Sequence, residues 1–201
     1  MNTITVTIPE NLNDLTLDQM QRLEVIADEE DFDVRARAIC STVYKMSGRE
    51  VELAPRADIK YLVEAVDKVL AEASPFTMRF NFAGTDWGFI PNLEKITTAE
   101  WVDLETLGFE TGSLHKIMAI LYRPVAEQRG EKYSIVPYHP EAVNFDLMKD
   151  MPAGVAKGAI LFFCRLGLAC MNGILKLQKA TPTPISLGKD LVRNGAGMPA
   201  L

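Results

Sequence analysis

Apolar positions recur along this chain with two periods, and their order predicts a mostly helical protein carrying a small antiparallel sheet. Ile4, Val6 and Ile8 alternate with threonines between Thr3 and Ile8, the period of a half-buried strand, and Pro9 ends the run. The spacing then changes to three and four. Met20, Leu23 and Val25 to Ala27 predict a helix over about Leu17–Ala27, and a second helix is expected over Val34–Met46, closed by Gly48. A third runs from Arg56 to Ala73, entered through Pro55, with Ile59, Leu62, Val63, Val66, Val69 and Leu70 along one face. Ser74 and Pro75 stop it.

Beyond Pro75 the strand period returns. Met78, Phe80 and Phe82 alternate with Arg79 and Asn81, a turn is expected over Gly84–Asp86, and Trp87 and Phe89 alternate back: a β-hairpin. Helices follow at about Ala99–Leu107 and Ser113–Tyr122, the latter ended by Arg123-Pro124. A loop with Gly130 and an extended piece, Tyr133–Tyr138, lead to a helix near Pro140–Lys149 and then to the longest apolar helix, Val155–Leu177. Residues 181–201 read as an extended tail, with too few large apolar groups to pack alone.

Two stretches about eighty residues apart say nearly the same thing, which suggests an internal duplication. Ile8-Pro9-Glu10-Asn11-Leu12, Leu15-Thr16-Leu17-Asp18-Gln19-Met20 and Leu23-Glu24 align with Ile90-Pro91-Asn92-Leu93, Ile96-Thr97-Thr98-Ala99-Glu100-Trp101 and Leu104-Glu105, with Glu10 inserted. Thr16 with Gln19, and Thr97 with Glu100, have the form of capping boxes. The hydroxyl takes an orphan amide of the first turn and the longer side chain reaches back to the cap. Each copy closes on an aromatic and a base, Val43-Tyr44-Lys45 and Leu121-Tyr122-Arg123. The fold expected is α+β, predominantly α-helical with a small antiparallel sheet, built from a repeated strand–helix–helix unit. Its expected divisions are residues 1–75, 76–180 and the tail 181–201.

With 201 residues, 48% hydrophobic and 24% charged, the chain can bury a substantial core. Three cysteines, Cys40, Cys164 and Cys170, are too few and too unevenly spaced for a disulfide framework, which favours a reducing cytoplasmic setting. Residues 1–30 lack the basic start and apolar middle of a signal peptide. Net charge is −6, against general nucleic-acid binding. It is unevenly spread: residues 1–75 hold 8 bases and 15 acids, while residues 151–201 hold six bases and one acid. Such polarity suits contact between copies or with a charged partner. In the last apolar helix, Lys157 and Arg165 leave no uncharged run near the roughly 20 residues that a bilayer requires, so a covered helix rather than a membrane span is expected. The Gly154-xxx-Gly158 pair would let another helix approach closely.

Candidate chemistry is sparse. No nucleophile elbow, phosphate loop or dinucleotide fingerprint occurs, and the two histidines, His115 and His139, stand in no catalytic spacing. Cys164 and Cys170 fall on different helix faces, and Asp28–Asp33 lacks the ligand spacing of a calcium loop. No catalytic residue, cofactor or metal ligand is therefore assigned. An enzyme reading would need His115 to meet carboxylates or a cysteine in a pocket. The candidate partner-binding residues are aromatic and basic: Trp101, Tyr122, Arg123, Tyr138, Phe162 and Phe163. Packing of the second helix pair over the hairpin would instead place Trp101 and Tyr122 in the core.

The segments carrying these residues resemble a group of tailed-bacteriophage proteins. The resemblance lies in the strand ending Ile-Pro, the Leu-Thr-Leu-x-Gln helix start, Phe-Ile-Pro-Asn-Leu-Glu-Lys-Ile-Thr (89–97), Trp-Val-Asp-Leu-Glu (101–105), Leu-His-Lys-Ile-Met-Ala-Ile-Leu-Tyr-Arg-Pro (114–124) and Met-Pro-x-x-Val-Ala-x-Gly-Ala-x-x-Phe-Phe (151–163). It covers most of the chain and is best over residues 87–163. Members of the group are sometimes called tail assembly chaperones or virion proteins. The resemblance implies a non-enzymatic protein of the host cytoplasm that escorts the tape-measure or another tail component, or else stays in the particle at the head–tail region. It implies phage tail or other virion proteins as partners, with a homo-oligomer as a further expectation.

Overall fold

Thr16 and Thr97 cap helices as their spacing predicts. In the computed structural model, which describes residues 4–108 and 110–180 and the side-chain surroundings of those up to residue 166, α1 (Leu17–Glu24) and α5 (Thr98–Leu107) both begin with a reciprocal capping box. The Thr16 amide donates to Gln19 Oε1 at 2.9 Å, and the Thr97 amide to Glu100 Oε2 at 2.6 Å. The likeness extends upstream. Each helix follows a 3-10 turn, Leu12–Asp14 or Leu93–Lys95, whose preceding asparagine accepts the amide two residues on at 2.9 Å. It extends downstream to the closing tyrosines, both buried, with Tyr44 donating to the Leu62 carbonyl and Tyr122 to that of Thr77. The repeat is thus a shared set of local instructions. Its first strand does not form: residues 4–8 lie in no strand, although Val6 and Ile8 pack on the buried core.

Three further helices complete the first half. They are α2 (Phe32–Thr42), α3 (Gly48–Leu53) and α4 (Arg56–Ala71). Leu23, Ala36, Ile39, Cys40, Ile59, Leu62, Val63 and Val66 form one buried cluster, which fixes α2 on α4. Gly48 is not the stop of the preceding helix. Ser47 caps a new one, accepting the Glu50 amide while Glu50 Oε2 accepts the Ser47 amide at 2.6 Å. The helix predicted to reach Met46 stops at Thr42, where Lys45 takes a positive φ and the Met46 amide turns back to the Cys40 carbonyl at 3.1 Å.

The sheet is a meander in the order β1-β2-β3-β4, antiparallel throughout: β1 (Arg79–Phe82), β2 (Thr85–Phe89), β3 (Tyr122–Arg129) and β4 (Lys132–Ile135). Its first hairpin turns at Ala83 and Gly84, both with positive φ as a tight primed turn requires. The second half of the sheet departs from the expectation of a helix ended by Arg123-Pro124. Helix α6 (Leu114–Leu121) runs without a loop into β3, whose Tyr122, Arg123 and Pro124 face Phe89, Gly88 and Trp87 of β2. Pro124 keeps its place because its carbonyl still accepts the Val136 amide at 2.9 Å. Gly88 lies under the Tyr133 ring, which leaves no room for a β-carbon. One face carries a chain of aromatic contacts: Phe162 stacks on Phe76 at 4.3 Å, Phe76 meets Phe89, Phe89 meets Tyr122, and Tyr122 meets Phe80.

Pro140–Lys149 forms two 3-10 turns, Pro140–Ala142 and Asp146–Asp150, instead of a helix. The last helix, α7, spans Ala153–Ala180. Its start is tied to the start of α1 by a bond from the Leu17 amide to the Met151 carbonyl and one from the Ala153 amide to the Leu15 carbonyl, each 2.9 Å. The two glycines do not receive a helix. A β-carbon at Gly154 would meet the Asn13 side chain, and one at Gly158 would lie 2.3 Å from the Pro75 carbonyl oxygen. Residues 4–162 form one compact unit, in which the two copies of the repeat meet, and residues 163–180 belong to a second. The copies meet because α1 packs on α6 and on the Asp146–Asp150 turn as well as on α2. Of the second unit, residues 163–180 continue α7, and the predicted tail 181–201 lies outside the described residues. Among the described residues no helix is long and apolar enough to cross a membrane.

Candidate protein interface

Helix α5 is built inside out. Its one buried residue is a glutamate, Glu100, 2% exposed, while Trp101 and Val102 are 58% and 49% exposed. Thr98, Ala99, Glu105 and Thr106 are exposed too, whereas Asp103, Leu104 and Leu107 are half-buried. An amphipathic helix normally turns its apolar stripe inward. This one turns a tryptophan and a valine outward, framed by polar side chains.

Polar bonds hold the helix in that orientation. Glu100 Oε1 lies 2.5 Å from the Arg123 guanidinium, and both side chains are almost wholly removed from solvent. The other carboxylate oxygen closes the capping box on Thr97. The Arg123 guanidinium also lies over the Tyr138 ring, 5.7 Å from its centroid, and the Tyr138 hydroxyl donates to Asp103 Oδ2 at 2.6 Å. Burial, and then the Asp103 carboxylate, push the Tyr138 hydroxyl well above its ordinary range, so it remains a donor at any physiological pH. A buried charge pair fixes one geometry strongly, because either charge alone would be costly in that place. Sequence signal for this anchor exists in the repeat itself: where α1 has Gln19, α5 has Glu100, and where the first copy closes on Lys45, the second closes on Arg123.

The six candidate partner residues therefore separate. Trp101 lies on the surface, against the expectation that helix packing would bury it. Tyr122 is fully buried between Phe80 and Phe89, and Arg123 is 9% exposed; both belong to the interior, because α6 passes straight into the central strand β3. Tyr138 is half-buried over Arg123, and Phe162 is half-buried against Phe76. Phe163 is half-buried and belongs to the second unit. Val102 was not predicted, since nothing in its spacing marks it off from a core valine.

His115 lies buried at the junction of α6 with α1, its Nδ1 3.4 Å from Gln21 Nε2, which also donates to the Thr111 carbonyl. Burial, then the charge of Lys149 and Lys116, hold its pKa below the ordinary value. A cleft of about 470 Å³ beside it, walled by Met20, Leu23, Ile39 and Leu70, contains the paired side chains of Arg35 and Asp67. Lys157 reaches into this cleft but gives its ammonium protons to the Leu70 and Glu72 carbonyls at the end of α4. These polar groups join helices to one another. Among the described residues, no three His, Cys, Asp or Glu side chains gather as a metal site requires.

No protein-family model, curated protein or solved structure matches the chain.

Proposed function

We propose that this chain is a non-enzymatic assembly protein of a tailed bacteriophage, a chaperone for a tail component, acting in the host cytoplasm through the Trp101–Val102 face of α5. The observation that carries the reading is the inverted helix. A protein that used α5 only to cover its sheet would bury Trp101 and leave Glu100 in water; this chain does the reverse and secures the helix by a buried ion pair. Large aromatic side chains held rigidly at the surface are the usual anchors of protein interfaces. The resemblance of residues 87–163 to phage assembly proteins supplies the biological setting, and α5 lies within that segment.

The runner-up, a permanent virion subunit, uses the same face for a lasting contact. Mass spectrometry of purified particles separates the two: a chaperone is absent from the virion, whereas a subunit is present in ring-like copy number. An enzyme reading would be restored by turnover of any substrate that is lost in His115→Gln with folding retained.

A further inference from the structure

The charge around the exposed face has its own pattern. Between Lys95 and Lys116 the chain carries Glu100, Asp103, Glu105 and Glu110 and no lysine or arginine. Glu100 is neutralised by Arg123, and Asp103 accepts the Tyr138 hydroxyl, but Glu105 stands exposed on the same side of the helix as Trp101, one turn further on. Thr106, one turn beyond Val102, donates its hydroxyl back to the Val102 carbonyl at 2.7 Å, so it adds no competing donor at the rim.

Resting on the docking reading above, we infer that the Trp101–Val102 face takes a basic amphipathic helix: one whose apolar stripe covers Trp101 and Val102 and whose flanking lysines or arginines meet Glu105. A ten-residue helix presents about 15 Å of length, which matches three turns of a partner helix laid along it. Acidic partners are rejected by the same charges.

The test uses the full chain and two synthetic 18-residue helical peptides with the same leucine stripe, one flanked by lysines and the other by glutamates, each carrying a fluorescent label read by anisotropy. The lysine peptide is expected to bind saturably, and Trp101→Ala to weaken it by about 30-fold, the scale of a buried aromatic anchor. Glu105→Lys should weaken the lysine peptide by about five-fold and strengthen the glutamate peptide, with circular dichroism unchanged in both variants. If both peptides bind equally and both are lost in Trp101→Ala, the charge inference falls while the docking face stands. Lysine-peptide binding unaltered in Trp101→Ala overturns both. Self-association of the unmodified chain that Trp101→Ala abolishes would make a second copy the occupant, and would overturn a foreign basic helix.

Discussion

Replacing Glu100 by glutamine isolates the bond on which the orientation of α5 depends. Gln19 occupies the equivalent position of α1 and closes its capping box at 2.9 Å, so an amide at position 100 keeps the cap and removes only the charge. Arg123 then remains buried with its positive charge facing an amide oxygen and the Tyr138 ring. Breaking a buried pair by removing one partner costs about 3–5 kcal/mol; the amide can still accept one hydrogen bond, so a loss of about 2–3 kcal/mol is expected. In urea this moves the unfolding midpoint by about 1 M for a slope of about 2–3 kcal/mol/M. The informative comparison is the double-mutant cycle with Arg123→Met. Methionine fills much of the same volume without charge, so Glu100→Gln/Arg123→Met should be more stable than Glu100→Gln alone, with a coupling of at least about 1.5 kcal/mol. A Glu100→Gln loss below about 0.5 kcal/mol, the scale of an exposed pair, would refute the reasoning, as would a cycle in which the two substitutions simply add.

Gly158→Ala places a β-carbon against the Pro75 backbone carbonyl and should cost about 1–3 kcal/mol, lowering the calorimetric Tm by several degrees. Gly154→Ala should cost less, since it displaces only the end of the Asn13 side chain. The pH dependence follows from His115: its pKa is depressed on folding, so the unfolded chain binds the extra proton, and its contribution is present above about pH 6.5 and is lost as the pH falls below it. Tm measured from about pH 7 to about pH 5.5 should fall in the unmodified protein and be flatter in His115→Gln. In native protein, a thiol reagent mapped by peptide mass should modify the exposed Cys164 and spare Cys40, whose thiol is buried and raised in pKa by that burial.

Elements whose boundaries are written in local chemistry were legible in the chain. Both capping boxes, the entry of α4 through Pro55 and the first hairpin stand where the residues place them. Elements decided by distant partners were not. Residues 4–8 have a strand's alternation, but the meander β1-β2-β3-β4 forms without them and Val6 and Ile8 pack on the helical core instead. Tyr122-Arg123-Pro124 looks like a helix stop because proline is one; as a strand it depends on Phe89 and Trp87 across the ladder. Gly48 reads as a helix stop, yet Ser47 before it caps a new helix, α3. The sequence groups Trp101 with Arg123 and Tyr138; the last two do meet, guanidinium over ring, but Glu100, which ties Arg123 to α5, reads only as half of a cap. Whether a tryptophan in an amphipathic segment faces in or out depends on which neighbour the other face finds. Here a buried arginine, 22 positions beyond the tryptophan, decides it.

We propose that α5 is held by Glu100 and Arg123 so that Trp101 faces a partner in phage assembly. Under that proposal, complementing a phage deleted for the gene with a Trp101→Asp version is the decisive test, because Trp101 is 58% exposed. The variant is expected to keep its circular dichroism and to accumulate normally yet to yield heads without functional tails. Full restoration of infectious particles by the Trp101→Asp chain would contradict it.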